Sequence, residues 1–294
     1  MSLSVEVVAV FGPTGAGKTA VAEALADALG TEIVSADAMQ AYRGLPILTN
    51  QPERPTRLVG VWPPDHEGSV GEYTALAHAA VDELVEARGT AIVVGGTGLY
   101  LRAALADIGL PPRPDPGARE RWEARYDHDP DAAYADLAHA DPAAVAVVHR
   151  NDRRRVVRAL ELAESGRSLA PQQDQLWAEE TRRPTLVAGL DLPRDVLRRR
   201  IEARTAAMFE RGVVDEVRSA LEGVISRTAE KALGLRELAE LSADDAYAAI
   251  VARTVRYAGY QLKWMRRIAG IVIIEADRQF EEVAGEILEV ARAR

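Results

Sequence analysis

One short segment has the residue types of a phosphate-binding loop. Residues 12–19 read GPTGAGKT and match the pattern G-x-x-x-x-G-K-[ST], after an apolar run and before a helical pattern. Glycines let main-chain N–H groups converge on phosphate oxygens, and the following helix adds its dipole. Lys18 supplies a charge and Thr19 a hydroxyl for Mg²⁺, although a plain tight turn is the alternative. The residues predicted to bind phosphate are Gly12, Pro13, Thr14, Gly15, Ala16, Gly17, Lys18 and Thr19.

The loop alone does not identify its ligand. A nucleotide hydrolase usually has a second strand ending in an aspartate that helps to hold Mg²⁺. Here the strand predicted at 91–94 runs into Gly95-Gly96-Thr97-Gly98, without a carboxylate. Asp191 is a possible substitute, but a helix predicted from Pro193 indicates that it is a cap. The missing acid argues against an ATP-driven motor.

Asp37 and Thr97 are predicted to face the same crevice as the loop. Asp37 ends the apolar run at 31–37, and Thr97 follows the strand at 91–94. Ligands of open α/β sheets bind at the carboxyl edge of the strands. A carboxylate there can accept a proton from a nucleophile that attacks a phosphorylated compound. The alternatives are that Asp37 caps a helix and that Thr97 is an ordinary turn residue.

The elements around these residues predict an α/β fold. Helical patterns alternate with apolar runs, which indicates a parallel sheet flanked by helices, of the P-loop NTPase-like type. A proline-rich segment at 46–65 is predicted to be an ordered loop over the site, with a disordered segment as the alternative. The predicted strands are 5–11, 31–37, 90–98, 184–192 and 270–277, and the clearest helices are 18–29, 72–88 and 193–212.

A change of pattern predicts an insertion. Residues 110–120 read LPPRPDPGARE, and their four prolines indicate a linker. Residues 117–180 then look entirely helical, with a break at Asp141-Pro142. The predicted domains are a catalytic core formed by residues 1–112 and 183–294 and an all-helical insertion at 113–182.

The composition excludes several classes of site. The 294 residues include no cysteine, so disulfides, thiolate zinc sites and a cysteine nucleophile are excluded. No apolar stretch approaches the ~20 residues of a membrane helix. We expect a cytoplasmic monomer that does not bind membranes. The net charge of −9 argues against a surface that is basic throughout, but it allows local basic patches.

Five motifs together resemble one enzyme family. GPTGAGKT, SADAMQAYRGL, VVGGTGLYLRAAL, NDRRRVVRALE and KALGLRE have the order and spacing of the tRNA dimethylallyltransferase family, and the matches extend from Gly12 to Gln261. The resemblance implies that dimethylallyl diphosphate places its diphosphate in the loop. N6 of an adenosine beside the tRNA anticodon then attacks the allylic carbon, and pyrophosphate leaves with the help of Mg²⁺. No γ-phosphoryl group is transferred, which gives a reason for the missing carboxylate.

The resemblance implies a role for each matching residue. Asp37 matches the general base that binds N6. Lys18 and Thr19 match contacts to the diphosphate and Mg²⁺, and Thr97 matches a residue near the reacting centre. Arg204 matches an arginine on the leaving pyrophosphate, where a preplaced cation stabilises the growing charge. From the pattern alone, this arginine could equally belong to a solvated helix face.

An RNA substrate requires a grip on its backbone, because the target base must leave the anticodon-loop stack. Residues 149–161 read HRNDRRRVVRALE and place Arg150, Arg154 and Arg158 at intervals of four, on one predicted helical stripe. By itself such a row could be a solvated face. The residues that the resemblance implies contact tRNA are Asp37, Ala38, Met39, Gln40, Thr97, Arg119, Arg154, Arg155, Val156, Val157, Arg158, Lys231, Ala232, Leu233, Gly234, Leu235 and Arg236.

The departures from the family pattern concern the acceptor more than the donor. Leu235 stands where the family usually has tyrosine. Basic residues are usual at the positions of Val255, Gly259 and Tyr260. The residues Thr49-Asn50-Gln51, Thr56 and Gly60 also differ from those usual in the family. The phosphate-binding loop itself is intact.

Three other functions fit parts of the pattern. A related enzyme could prenylate a free adenine nucleotide, although a small acceptor needs no helical grip. A small-molecule kinase would also use the phosphate loop, Asp37 and the GGTG loop. A binding protein could keep the fold without catalysis. Release of pyrophosphate only with an adenine acceptor would identify a prenyltransferase, and consumption of ATP with a metabolite would identify a kinase.

Overall fold

The computed structural model describes residues 3–109, 115, 117–170 and 179–293. Much of the linker predicted at 110–120 lies outside the described residues. The chain divides into two compact units. The core unit comprises Met1–Ile108 and Leu176–Arg294, and the insertion unit comprises Gly109–Gln175.

The core unit is built on a parallel sheet, which confirms the predicted α/β fold. Phe11 pairs with Gly95, and Ser35 pairs with Val94 of the same neighbouring strand. The segments after these three strands therefore leave the sheet at one edge, where α/β proteins bind ligands. The strands are β1 (Val7–Phe11), β2 (Ile33–Ser35), β3 (Ala91–Gly95), β4 (Thr185–Asp191) and β5 (Val272–Glu275), in the order β2-β3-β1-β4-β5.

Both faces of the sheet are covered, which explains the uninterrupted apolar sequence of β1. Val7, Ala9 and Phe11 pack in the apolar cluster on one face. Val8 and Val10 pack in the cluster on the other face. Fully burying a valine contributes about 1.5–3 kcal/mol, so β1 gives the loop that follows it a rigid base.

The helices largely follow the predicted pattern. The helices predicted at 18–29, 72–88 and 193–212 are observed at 18–29, 70–88 and 194–210. The first ends at Gly30, whose φ of 63° suits glycine and whose N–H donates to the carbonyl of Ala26. In chain order they are α1 (Lys18–Leu29), α2 (Val70–Arg88), α3 (Gly98–Leu105), α4 (Ala118–His128), α5 (Pro130–Ala140), α6 (Pro142–Val145), α7 (Arg153–Glu164), α8 (Arg194–Glu210), α9 (Val213–Leu221), α10 (Leu235–Glu240), α11 (Ala243–Met265) and α12 (Phe280–Ala293).

Two helices are additional to the predicted elements. The run expected to remain a strand to residue 98 ends at Gly95, and α3 begins at Gly98. At the other end of the chain, α12 buries Val283 and Ile287 in the cluster that also contains residues of α1. None of the helices in the described ranges is long and apolar enough to cross a membrane.

The segment between β2 and α2 is ordered, as predicted for residues 46–65. Arg57 forms a β-bridge with Val34, and Trp62 forms one with Tyr42. The carboxylate of Glu216 in α9 accepts hydrogen bonds from two main-chain N–H groups at 47 and 48, at 2.8 and 2.7 Å. These contacts fix the course of the chain after Asp37.

The insertion unit consists of helices α4–α7, whose starts follow from their caps. Asp129 accepts from the N–H groups at 131 and 132, and Asp141 accepts from that at 144. Each aspartate precedes a proline at the first helical position, which is a favourable helix start. Leu137 and Leu160 are buried in the apolar cluster of this unit.

The sequence predicted Arg150, Arg154 and Arg158 on one helical stripe, and this prediction is wrong for Arg150. Asp152 caps α7 by accepting from the N–H of Arg155, so this helix begins at Arg153. Arg150 lies in the preceding turn and pairs with Asp131. The helical stripe therefore contains Arg154 and Arg158 only.

Candidate active site

The phosphate-binding loop connects β1 to α1, as its motif predicts. Gly15 and Gly17 both have a φ of 85°, a left-handed conformation that glycine adopts without strain. A Cβ at Gly17 would also lie 3.2 Å from Cδ1 of Phe280. Because α1 begins at Lys18, the N–H groups of its first turn lack acceptors within the helix. Such an end is suited to bind an anion.

Lys18 is held inside the loop. Its Nζ donates to the carbonyl oxygen of Pro13 at 2.9 Å. Burial lowers the pKa of the Lys18 ammonium to about 8, while nearby Asp37 raises the pKa and nearby Arg204 lowers it. The Lys18 ammonium is therefore charged at neutral pH but close to titration.

Arg204 brings a second cation from α8. Burial lowers the pKa of its guanidinium, and the charge of Asp37 partly opposes that shift. Its Nε is buried and has no hydrogen-bond partner among the described residues. An unsatisfied buried donor costs about 1–3 kcal/mol, so an anionic ligand at this point would gain a strong contact.

The sequence predicted Asp37 as the last residue of the second strand. In the structure β2 ends at Ser35, and Asp37 lies two residues beyond it. Its Oδ1 accepts from the N–H of Met39 at 2.9 Å and from that of Gln40 at 3.4 Å. Asp37 therefore caps a short turn, and not a helix as the alternative interpretation had it. Within the described chain, the other carboxylate oxygen has no hydrogen-bond partner. One oxygen fixes the side chain, and the other remains for a proton donor.

Thr97 is the residue immediately before α3. Its Oγ1 lies 3.0 Å from the phenol oxygen of Tyr257 in α11. Burial raises the pKa of the Tyr257 phenol, and Asp37 raises it further. Tyr257 therefore stays neutral and keeps a proton to donate.

Gln261 and Tyr257 are site residues that the sequence reasoning did not identify. Gln261 is 3% exposed, accepts from the N–H of Thr14 at 2.8 Å and donates to the carbonyl of Gly96 at 2.8 Å. A signal was present, because Gln261 and Thr254 occupy buried positions on an otherwise apolar helical face. A buried polar residue in a helix indicates a specific partner.

The residues of the loop fit a Mg²⁺ ion whose further ligands would be phosphate oxygens. The hydroxyl of Thr19 lies in the first turn of α1 and has no hydrogen-bond partner in the described ranges. No group of three or more acidic or histidine side chains among these residues could hold a metal by itself. Asp191 is the exposed last residue of β4, and Pro193 precedes α8 without a side-chain cap. The reading of Asp191 as a cap is therefore wrong.

The predicted RNA contacts in the core differ in their exposure and in whether their side chains already form hydrogen bonds. Gln40 donates to the carbonyl of Asn50 at 2.8 Å and accepts from the Ser35 hydroxyl at 2.8 Å, so its side chain is already engaged. Lys231 and Arg236 are exposed. Ala232, Gly234 and Leu235 are buried, so the exposed Lys231 and Arg236 are the better placed members of this segment for a contact with RNA. The partly exposed members are Ala38, Met39 and Leu233.

The predicted RNA contacts in the insertion also divide by exposure. Arg119 and Arg158 both bind Glu161, at 2.6 and 3.0 Å, and the side chain of Glu161 is fully buried. Val156 and Val157 are 0% and 2% exposed, so a contact of these two positions with RNA would have to come from the main chain. Arg154 and Arg155 are exposed, and their guanidinium groups form no ion pair within the described residues.

The sequence matches known families over most of its length. A family described as IPP transferase matches residues 40–268, and one described as isopentenyl transferase matches residues 5–56. The chain is 39% identical to the tRNA dimethylallyltransferase of Anaeromyxobacter sp. (strain K), over 96% of this chain and 97% of that protein. It is 40% identical to the tRNA dimethylallyltransferase of Streptomyces coelicolor, over 89% and 87%.

Solved structures give the same result. The tRNA isopentenylpyrophosphate transferase of Bacillus halodurans is 31% identical, with a TM-score of 0.66, over 97% of this chain and 95% of that chain. A eukaryotic dimethylallyltransferase acting on tRNA is 25% identical, with a TM-score of 0.75, over 95% of this chain and 76% of that chain.

Proposed function

The chain belongs to the IPP transferase family, and on this basis we propose that it transfers the dimethylallyl group of dimethylallyl diphosphate to N6 of an adenosine next to the tRNA anticodon, releasing pyrophosphate. The observation that carries the proposal is a set of three charged groups at one edge of the sheet. Lys18 and Arg204 offer N–H donors to an anion. Asp37 offers a carboxylate oxygen to a proton donor.

The donor side of the reaction needs cations that stabilise a leaving pyrophosphate. As the allylic C–O bond breaks, its electron pair moves to the pyrophosphate oxygen, and negative charge grows there. The N–H groups at the start of α1, Lys18 and the unsatisfied Nε of Arg204 are suited to hold that charge. Mg²⁺ bound by Thr19 and the phosphates would neutralise part of the same charge.

The acceptor side needs a group that takes a proton from N6. As N6 forms its bond to the allylic carbon, one N6 proton passes to the unengaged oxygen of Asp37. The turn that holds the other oxygen keeps Asp37 oriented during this step. Thr97, bonded to Tyr257, is a second polar group at the carboxyl edge of β3. General-base assistance of this kind contributes about 10²–10⁴-fold.

The RNA grip is proposed for the exposed arginines of the insertion. Arg154 and Arg155 have no competing carboxylate in the described residues, so they are suited to bind backbone phosphates. Phosphate contacts fix the position of the RNA, and the pocket then selects the base. We propose that the protein acts as a monomer on one tRNA.

An acceptor comparison tests this function. The protein is incubated with dimethylallyl diphosphate and Mg²⁺, together with unmodified tRNA or with AMP, and products are analysed by mass spectrometry. We expect one dimethylallyl group on the tRNA adenosine, equal amounts of pyrophosphate and no product with AMP. Transfer to AMP alone would identify a nucleotide prenyltransferase. Consumption of ATP with a metabolite, without prenyl transfer, would identify a kinase.

A further inference from the structure

Gln261 connects two loops that the reaction must keep in register. Its side chain is buried, and the oxygen and the nitrogen of its amide each form one hydrogen bond. Oε1 accepts from the N–H of Thr14 in the phosphate-binding loop, and Nε2 donates to the carbonyl of Gly96 in the loop after β3. The first loop belongs to the donor, and the second leads directly to Thr97.

The peptide between Pro13 and Thr14 is held from both sides. Its carbonyl oxygen accepts from Nζ of Lys18, and its N–H donates to Gln261. A diphosphate in the loop competes with the carbonyl for the Lys18 ammonium. Once Lys18 turns to the phosphates, the N–H of Ala16 still donates to the carbonyl oxygen of this peptide, and Gln261 still holds its N–H.

The second loop is shaped to receive the same amide. A Cβ at Gly96 would overlap Nε2 of Gln261 and would lie 3.1 Å from the carbonyl oxygen of Gly12 and 3.4 Å from Nζ of Lys18. The absence of a side chain at Gly96 therefore allows the two loops and the amide to pack together. This gives a physical reason for the second glycine of the GGTG sequence.

Tyr257 extends the contact to the next residue. It lies one turn before Gln261 on α11, and residues four apart share one face of a helix. Its phenol forms a hydrogen bond with Thr97, while the amide of Gln261 forms one with Gly96. One face of α11 thus holds the acceptor loop at two successive residues and the donor loop at one.

We propose that Gln261 is a positioning residue that keeps the donor diphosphate and the acceptor amine aligned for attack. This inference rests on the proposed prenyl transfer. Gln261 touches neither substrate; it acts through Thr14 and Gly96. A displacement of about 1 Å between reacting groups can lower a rate about 100-fold, so loss of the bridge should act on turnover more than on binding.

Gln261→Met tests the bridge with a side chain of similar shape that makes neither hydrogen bond. We expect kcat per donor-binding site to fall about 10- to 100-fold, with the donor Kd within about threefold of wild type. Gln261→Glu keeps the bond from Thr14 and loses the donor to Gly96, so its kcat should be intermediate. Ala252→Gln, an exposed change on the same helix, is the matched control and should retain wild-type kcat.

A purely structural role would give a different result. It would lower the melting temperature or the number of donor-binding sites but leave kcat per site unchanged, and that outcome would overturn the proposal. Failure of the wild type to transfer a prenyl group would instead contradict the proposed function. The two failures are therefore distinguishable.

A second pair of variants keeps the test decisive if Gln261→Met folds poorly. Gly96→Ala should lower kcat in the wild-type background, because the new methyl group collides with the amide. In a Gln261→Ala background the same change should cost less, since the overlap with the amide is gone and the 3.1 Å approach to the Gly12 carbonyl oxygen remains. Independent, additive losses would contradict direct contact between these residues in the working enzyme.

Discussion

The core site and the insertion unit differ in the partners of their basic side chains. In the core, Lys18 donates to a main-chain carbonyl, and the buried Nε of Arg204 has no partner among the described residues. Among the described residues of the insertion, carboxylates pair with most arginines. The pairs are Arg119 and Arg158 with Glu161, Arg121 with Glu164, Arg125 with Asp136, Arg150 with Asp131 and Arg153 with Asp127.

This difference favours a ligand-binding role for the two core cations and a structural role for the paired arginines. A buried donor without a partner costs about 1–3 kcal/mol, so its presence marks a position that a ligand can complete. Exposed ion pairs contribute about 0–1 kcal/mol and are already satisfied. We therefore expect large catalytic effects from the core site and modest binding effects from the insertion.

The largest effect is expected at Asp37. Asp37→Asn removes the proton acceptor but keeps an oxygen for the N–H groups at 39 and 40. Single-turnover transfer should fall about 100-fold or more, while the donor Kd changes little. Rapid-quench assays and calorimetry measure the two quantities.

The matched control for this change is Glu86→Gln, which removes an exposed carboxylate on α2. It should leave both quantities unchanged. Near-normal transfer by the Asp37→Asn protein would show that another group takes the proton.

An intermediate effect is expected from the pH dependence of donor binding. The pKa of Lys18 is lowered to about 8, so the neutral amine predominates above that pH in the free protein. The diphosphate favours the ammonium, so binding takes up a proton and the donor Kd should rise above about pH 8, by up to about tenfold per pH unit. Below that pH, Lys18 contributes no pH dependence.

Calorimetry in buffers of different ionisation enthalpy measures this proton uptake. Lys18→Arg is the control, because a guanidinium keeps its charge over the same range. Its Kd should be weaker overall but independent of pH. A wild-type Kd that stays constant between about pH 7 and about pH 9.5 would contradict the linkage.

The smallest effect is expected in the insertion. Arg154→Ala combined with Arg155→Ala removes two phosphate contacts and should lower the slope of log K against log salt by about 1.4–1.8. Arg88→Ala with Arg292→Ala removes the same charge from the ends of α2 and α12 and should leave the slope unchanged. Equal slopes for all three proteins would remove the two insertion arginines from the RNA interface.

Contiguous motifs predicted the core well, because their information is local. GPTGAGKT follows a buried strand and starts α1 at Lys18, and Gly30 ends that helix. The alternation of apolar runs with helical patterns predicted the parallel sheet, since both faces of each strand must be covered. Asp37 raises the pKa of Lys18 and of Arg204, and Arg204 lowers that of Lys18, although the three residues are far apart in sequence.

The remaining features depend on contacts between distant residues. Arg119 and Glu161 are 42 positions apart, and only the packing of α4 against α7 brings them together. The cap at Asp152 moved the start of α7 and removed Arg150 from the expected stripe. Gln261 lies 247 positions from Thr14, so no local pattern could assign their contact.

The most direct test of the account is a crystal structure with an unreactive analogue of dimethylallyl diphosphate and Mg²⁺. We expect the diphosphate on the main-chain N–H groups of residues 15–19, with Lys18 turned from the Pro13 carbonyl and Arg204 contacting a phosphate oxygen. The allylic carbon should face the unengaged oxygen of Asp37. An empty loop, or a diphosphate bound away from Lys18 and Arg204, would contradict the account.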